Sequence, residues 1–149
     1  MDPAKPTVTP EQSLRTLRII WAALLLGQVV FLVVVMWLIR QPTDRPTIAP
    51  EFRRTLFIIA AAWLVMAVPI GYFIRSKSYE KGRGPDGSVS PGSYATGNIV
   101  LFALCEGVSL LAIVGILLSR QVTPFIYVTV LAVAVQAVNF PTGGPMTRR

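Results

Sequence analysis

Histidine is absent from the 149 residues, and cysteine occurs once, at Cys105. Those two shortages remove imidazole acid/base chemistry, zinc sites, haem attachment through paired cysteines and any disulfide within the chain. Quinone-linked disulfide oxidoreductases, which also use four helices, are excluded on the same ground. Cys105 is expected to act as a small buried apolar residue. Charge is scarce too: charged residues are 14% of the chain, against roughly 25% in an average soluble domain. Too little charge is present to cover a surface with water.

What the chain has instead is apolar length. Hydrophobic residues make up 53%, and four apolar runs stand out, 17–39, 56–74, 99–118 and 124–140. Each lies near the ~20 residues that cross a ~30 Å hydrocarbon core, and the last is the shortest. The first run is too long for the core of a signal peptide and no small-x-small cleavage site follows it, so it is expected to stay in the protein. Helix punctuation agrees with these limits. Thr9, Pro10 and Gln12 form a capping box with proline at the first helical position, Pro50 and Glu51 open the second helix, and Thr123 and Pro124 open the fourth. Pro141 ends the fourth, and Ser119 to Val122 leave room only for a tight antiparallel turn. The expected fold is an all-α, up-down-up-down bundle of four transmembrane helices, one domain over residues 1–149.

Between the second and third runs, Arg75 to Asn98 is rich in Gly, Ser, Pro and basic residues and reads as a mobile loop with no core of its own. Within it, Gly82-Arg83-Gly84-Pro85-Asp86-Gly87 matches GxGxxG in form only. A dinucleotide site needs a preceding strand and a following helix start, and here proline interrupts the motif.

Basic residues outnumber acidic ones by seven, and the excess lies outside the apolar runs. That placement points to anionic lipid headgroups rather than nucleic acid, since no basic segment alternates with aromatics. Lys5, Arg15, Arg18, Arg75, Lys77, Lys81, Arg83, Arg148 and Arg149 fall on the side of both termini, against Arg40, Arg45, Arg53, Arg54 and Arg120 on the other. The positive-inside bias then puts both termini in the cytoplasm, and the compact chain suits a bacterial inner membrane.

One ionisable side chain falls inside an apolar run, Glu106. A carboxylate at a helix centre costs ~3 kcal/mol to insert, which the neighbouring aliphatic residues offset. Helical spacing places Phe102, Ala103, Ser109, Leu110 and Ile113 on its face. Gln28 from the first helix and Thr129, Gln136 and Asn139 on one stripe of the fourth add polar groups. At 1.5 Å per residue, Glu106 lies about 10 Å deep, Gln136 about 6 Å, Pro69 about 8 Å and Gln28 about 16 Å from the side of the termini. Pro69 leaves the carbonyl of Val65 without its helical donor, which a neutral Glu106 would supply. The candidate proton or cation site is thus Glu106, Ser109, Gln136 and Gln28 beside the kink at Pro69. Its residues serve either as hydrogen-bonding glue between helices or as a translocation site.

Small residues recur four apart at Ala23/Gly27, Ala67/Gly71 and Ala103/Gly107, spacing that lets helices approach closely within one copy or between copies. Trp21, Trp37 and Trp63 are expected at lipid-facing or interfacial positions. No nucleophile with a base, metal set or carboxylate pair appears, so neither enzyme chemistry nor a cofactor is expected. The leading function is a non-enzymatic membrane subunit packing against its own copies or other subunits. The alternative is a small proton- or cation-coupled translocator using Glu106.

Part of the first hairpin resembles the proteolipid c-type subunit of rotary ATP synthases. The residues that carry it are Arg40-Gln41-Pro42, then Arg54-Thr55-Leu56-Phe57-Ile58-Ile59 and Leu64-Val65-Met66-Ala67-Val68-Pro69. Met66 stands where that family has its ion-carrying carboxylate. Ala103-Leu104-Cys105-Glu106-Gly107 is similar to the surroundings of that carboxylate but lies in the third helix. The resemblance implies a hairpin subunit of a membrane motor, while the carboxylate Glu106 falls in the other half of its hairpin from the one that carries the ion in that family.

Overall fold

The computed structural model describes residues 9–42 and 47–147. Lys5, Arg45, Arg148 and Arg149 of the charge comparison lie outside them. Four main helices follow one another, α1 (Pro10–Arg40), α2 (Pro50–Lys81), α3 (Pro91–Ser119) and α4 (Phe125–Val138), with a short α5 (Gly144–Thr147). The capping box at α1 is complete: the Thr9 hydroxyl accepts from the Gln12 amide, and the Gln12 side chain accepts from the Thr9 amide. α1, α2 and α3 are each long and apolar enough to cross a bilayer, and α4 is a shorter apolar helix of 14 residues.

α4 is short because it begins and ends level with the apolar part of α2. Phe125 at its start meets the Phe57 ring edge-on at 5.9 Å, and Asn139 just past its end takes the Tyr72 hydroxyl as acceptor at 2.6 Å. The other helices run on beyond it at the end where Thr9 and Thr147 lie.

Helix directions alternate as expected, but the arrangement is not a four-cornered bundle. α3 is the hub: half of its most apolar stretch is buried, against 11% in α1 and 17% in α2. α1, α4 and α2 pack against α3, while α1 and α2 make almost no contact with each other. Small side chains explain the choice of hub. A Cβ on Gly97 would meet the Arg75 backbone at 3.1 Å, and one on Gly115 would meet the Phe125 ring at 2.4 Å. Ala67 and Gly71 face α3 in the same way, since a Cβ on Gly71 would meet Leu101 at 2.6 Å. The opposite side of α3, Thr96, Ile99, Ala103 and Gly107, stays exposed in the gap between α1 and α2.

The segment expected as a mobile loop over 75–98 is largely helical. α2 continues to Lys81 and α3 starts at Pro91, capped by the Ser90 hydroxyl. Only residues 82–90 link them, closed by the Gly84 amide on the Ser88 carbonyl, a bridge between Arg83 and Val89, and Gly87 at φ 78. Val89 is buried, and its amide donates to the Pro145 carbonyl at 2.9 Å. The residues after α4 therefore fold back as a strap across this end, held also by the Gly143 amide on the Tyr94 hydroxyl and by Arg18 Nε on the Pro141 carbonyl.

Candidate functional site

Two cross-links fix the register of α1 against α3. Ser13 Oγ donates to the carbonyl of Pro91, 78 positions on, and Arg120 Nη2 reaches back 81 and 79 positions to the carbonyls of Ile39 and Gln41. The offset of 78 to 81 holds at both ends, so the helices are parallel and Glu106 lies level with the turn from Leu25 to Gln28. Gln28 is thus within one turn of Glu106 in depth, closer than the ~6 Å that counting along the apolar runs suggests.

Depth does not bring Glu106 and Gln28 into contact. Gln28 is 1% exposed and Gln136 wholly buried, and the Gln28 amide donates to Gln136 Oε1 at 2.6 Å. Gln28 Nε2 also reaches the Leu24 carbonyl at 3.3 Å, and Trp21 Nε1 donates to the Gln136 carbonyl at 2.9 Å. α1 and α4 are joined by this polar link in a setting where an unpaired amide is costly. Gln28 Oε1, Gln136 Nε2 and the buried Ser109 hydroxyl have no partner among the described residues.

Glu106 sits elsewhere on α3, between the buried stripe Phe102, Ser109 and Ile113 and the exposed stripe Ile99, Ala103 and Gly107. It is half-buried and makes no side-chain hydrogen bond or ion pair among the described residues. A cleft of about 380 Å³ between α1 and α3 is lined by Leu17 and Ile20 on one side and Ala95 and Ile99 on the other. Seven residues, or about two turns, beyond Ile20 and Ile99 come Gly27 and Glu106. The carboxyl therefore stands along the outward-facing seam of α1 and α3. At its level Gly27 on α1 and Gly107 on α3 are open, with nothing within 4 Å of where a Cβ would be.

Pro69 does not join the site. It is exposed on the side of α2 away from Ala67 and Gly71, which face α3, and Val65 is 72% exposed. The helix runs through Pro69 unbroken. Thr129 bonds its own Phe125 carbonyl, and Asn139 accepts from Arg75 Nη1 at 2.6 Å, so the polar stripe of α4 splits among three destinations. Trp37 and Trp63 face outward as expected, but Trp21 packs edge-on against Phe140 at 5.1 Å.

Sequence reasoning missed the network at the strap end. Arg75 donates to Asn139 and lies over the Tyr72 and Tyr79 rings, and Asn98 donates to the Tyr79 hydroxyl at 2.7 Å. Tyr79 stacks on the buried Tyr94. The available signal was the pair of tyrosines flanking a Gly/Ser/Pro-rich link, since rings of that size seldom border a loop without a core. Among the described residues no group of three His, Cys, Asp or Glu side chains could hold a metal.

The fold and this site define an all-helical protein whose long helices turn apolar side chains outward. No family model, curated protein or solved structure matches the chain.

Proposed function

We propose that the chain is an integral membrane protein in which all four helices cross the bilayer, with both termini cytoplasmic in a bacterial inner membrane. It acts as a non-enzymatic subunit that packs laterally against its own copies or other membrane subunits. One observation carries the reading: Glu106 stands half-exposed near the outer seam of α1 and α3 without a described partner, level with two open glycines. A carboxyl facing hydrocarbon is costly unless another group hydrogen-bonds it, and small neighbours let a second helix come close enough to do so. Of the three small-residue pairs, Ala67/Gly71 is used inside the protein, while Ala23/Gly27 and Ala103/Gly107 face out.

Native mass spectrometry from mild detergent tests this. The wild-type protein is expected as an oligomer or with a copurifying membrane protein, and Gly27→Leu with Gly107→Leu, or Glu106→Leu alone, to release single copies. A wild-type protein that is a lone monomer with nothing bound would overturn the proposal.

A second reading, a proton- or cation-coupled translocator, is favoured by the depth Glu106 shares with the buried Gln28–Gln136 link. It would align with the c-subunit resemblance. Carbodiimide labelling of Glu106 in liposomes separates the two: labelling blocks ion flux under translocation, and there is no flux to block under the subunit reading.

A further inference from the structure

We propose that the outer face of α1 carries a binding site for an aminophospholipid headgroup, in which Arg15 and Arg18 hold the phosphate and Glu11 the ammonium. The site rests on the reading that the chain lies in a bilayer. Its side chains gather on one stripe of α1: Glu11, Leu14, Arg15, Arg18, Ile19 and Ala22 border a shallow hollow that is open to the surroundings. Glu11, Arg15, Arg18 and Ala22 recur at four, three and four residues, so they follow one face of the helix. At 1.5 Å per residue, Glu11 stands about 6 Å above Arg15 and Ala22 about 6 Å below Arg18.

That order matches the ligand. From water inward the stripe presents a carboxylate, two guanidiniums and then apolar side chains, and an ethanolamine lipid presents an ammonium, a phosphate and then acyl chains. The level is also right, because Arg15 and Arg18 flank Leu17, where the apolar run of α1 begins. Arg18 is held in place: its Nε donates to the Pro141 carbonyl at 3.1 Å and its guanidinium lies 5.2 Å over the Phe140 ring. Its terminal nitrogens make no hydrogen bond among the described residues, and their fork geometry suits two oxygens of a phosphate. Glu11 and Arg15 are four apart yet form no ion pair among the described residues. Each is exposed, and a zwitterion laid between them satisfies both. An anionic lipid would satisfy the arginines and leave Glu11 facing added negative charge.

The test uses the full chain in mild detergent with phosphatidylethanolamine, phosphatidylglycerol and phosphatidylcholine added in equal amounts. Lipid adducts are read by native mass spectrometry. Phosphatidylethanolamine is expected to dominate. Arg15→Gln should lower its adduct about tenfold, roughly the loss of one charge-assisted hydrogen bond. Arg15 makes no described contact that folding needs, so this variant keeps the fold. Glu11→Gln should erase the preference over phosphatidylglycerol while leaving total lipid bound. Soluble glycerophosphoethanolamine at equal concentration should not displace the lipid, because it lacks the chains that cover Ile19 and Ala22. Equal retention of all three lipids, preference for phosphatidylglycerol, an unchanged Arg15→Gln adduct, or displacement by the soluble headgroup would each overturn the assignment. Failure of the bilayer reading looks different: the protein then stays soluble and monodisperse with no detergent at all.

Discussion

α1 and α3 are near twins in length and hydropathy, 31 and 29 residues, yet half of the apolar stretch of α3 is buried in protein and only 11% of that of α1. Hydropathy measures the preference for leaving water, and hydrocarbon and protein interior satisfy it equally. What separates the two helices is shape. α3 places Gly97, Ala112 and Gly115 against its neighbours and so admits them closely, whereas α1 points Leu26, Val33 and Trp37 outward.

The strongest way to break the contrast is to spoil the shape of the hub. Gly115→Leu drives a side chain into the Phe125 ring and is expected to destabilise the fold by about 3 kcal/mol or more, seen as an early unfolding transition in detergent micelles. One chemistry at two addresses tests it next. Leu101→Ala, at a site fully buried on α3, should cost about 2 to 5 kcal/mol, and Leu26→Ala, 62% exposed on α1, under about 0.5 kcal/mol in the same assay. Equal losses would remove the distinction between the protein-facing and the outward-facing helix.

A smaller effect sits where α1 meets α4. Gln28→Leu strands the Gln136 amide and should cost about 1 to 3 kcal/mol, and adding Gln136→Leu should restore most of it, since an apolar pair leaves nothing unpaired. A double variant as unstable as the sum of its parts would show that the two glutamines act separately.

The smallest effect lies outside both helices, in the 82–90 link. The Ser88 hydroxyl and amide hold the Asp86 carboxyl below its ordinary 3.8. A lowered value means that this turn is fully supported above pH 3.8 and loses that support as the pH falls through the lower folded value. The protection of the Ser88 amide, its exchange rate referred to that of an unstructured peptide at the same pH, should fall on acidification over that range, and Asp86→Asn should abolish that loss of protection.

Much of this was legible in the residues. Apolar runs located the three long helices and the short fourth, and Thr9 with Gln12 marked the first boundary to the residue. Glu106 stood out because hydrocarbon makes any carboxyl conspicuous. Gln28 and Gln136 stood out as polar residues inside apolar runs, and they meet although counting along the runs sets them about 10 Å apart in depth. The identity of the hub was hidden, because choosing which helix lies innermost requires knowing what each glycine faces. Pro69 misled for the same reason: its depth matched Glu106, but depth says nothing of which side of α2 it occupies. The strap and the Arg75 network were hidden by composition. Gly143, Gly144, Pro141 and Pro145 read as loose chain until Tyr94 and Val89 provide their partners.

The near absence of contact between α1 and α2 bears on how the chain is assembled. A ribosome delivers these two segments first, before their shared neighbour exists, so under the proposed membrane reading each must hold its place in lipid as a stranger to the other. Only when α3 arrives does a parallel companion appear for α1 and an antiparallel one for α2, and the nascent protein passes from separate rods to one body at that step.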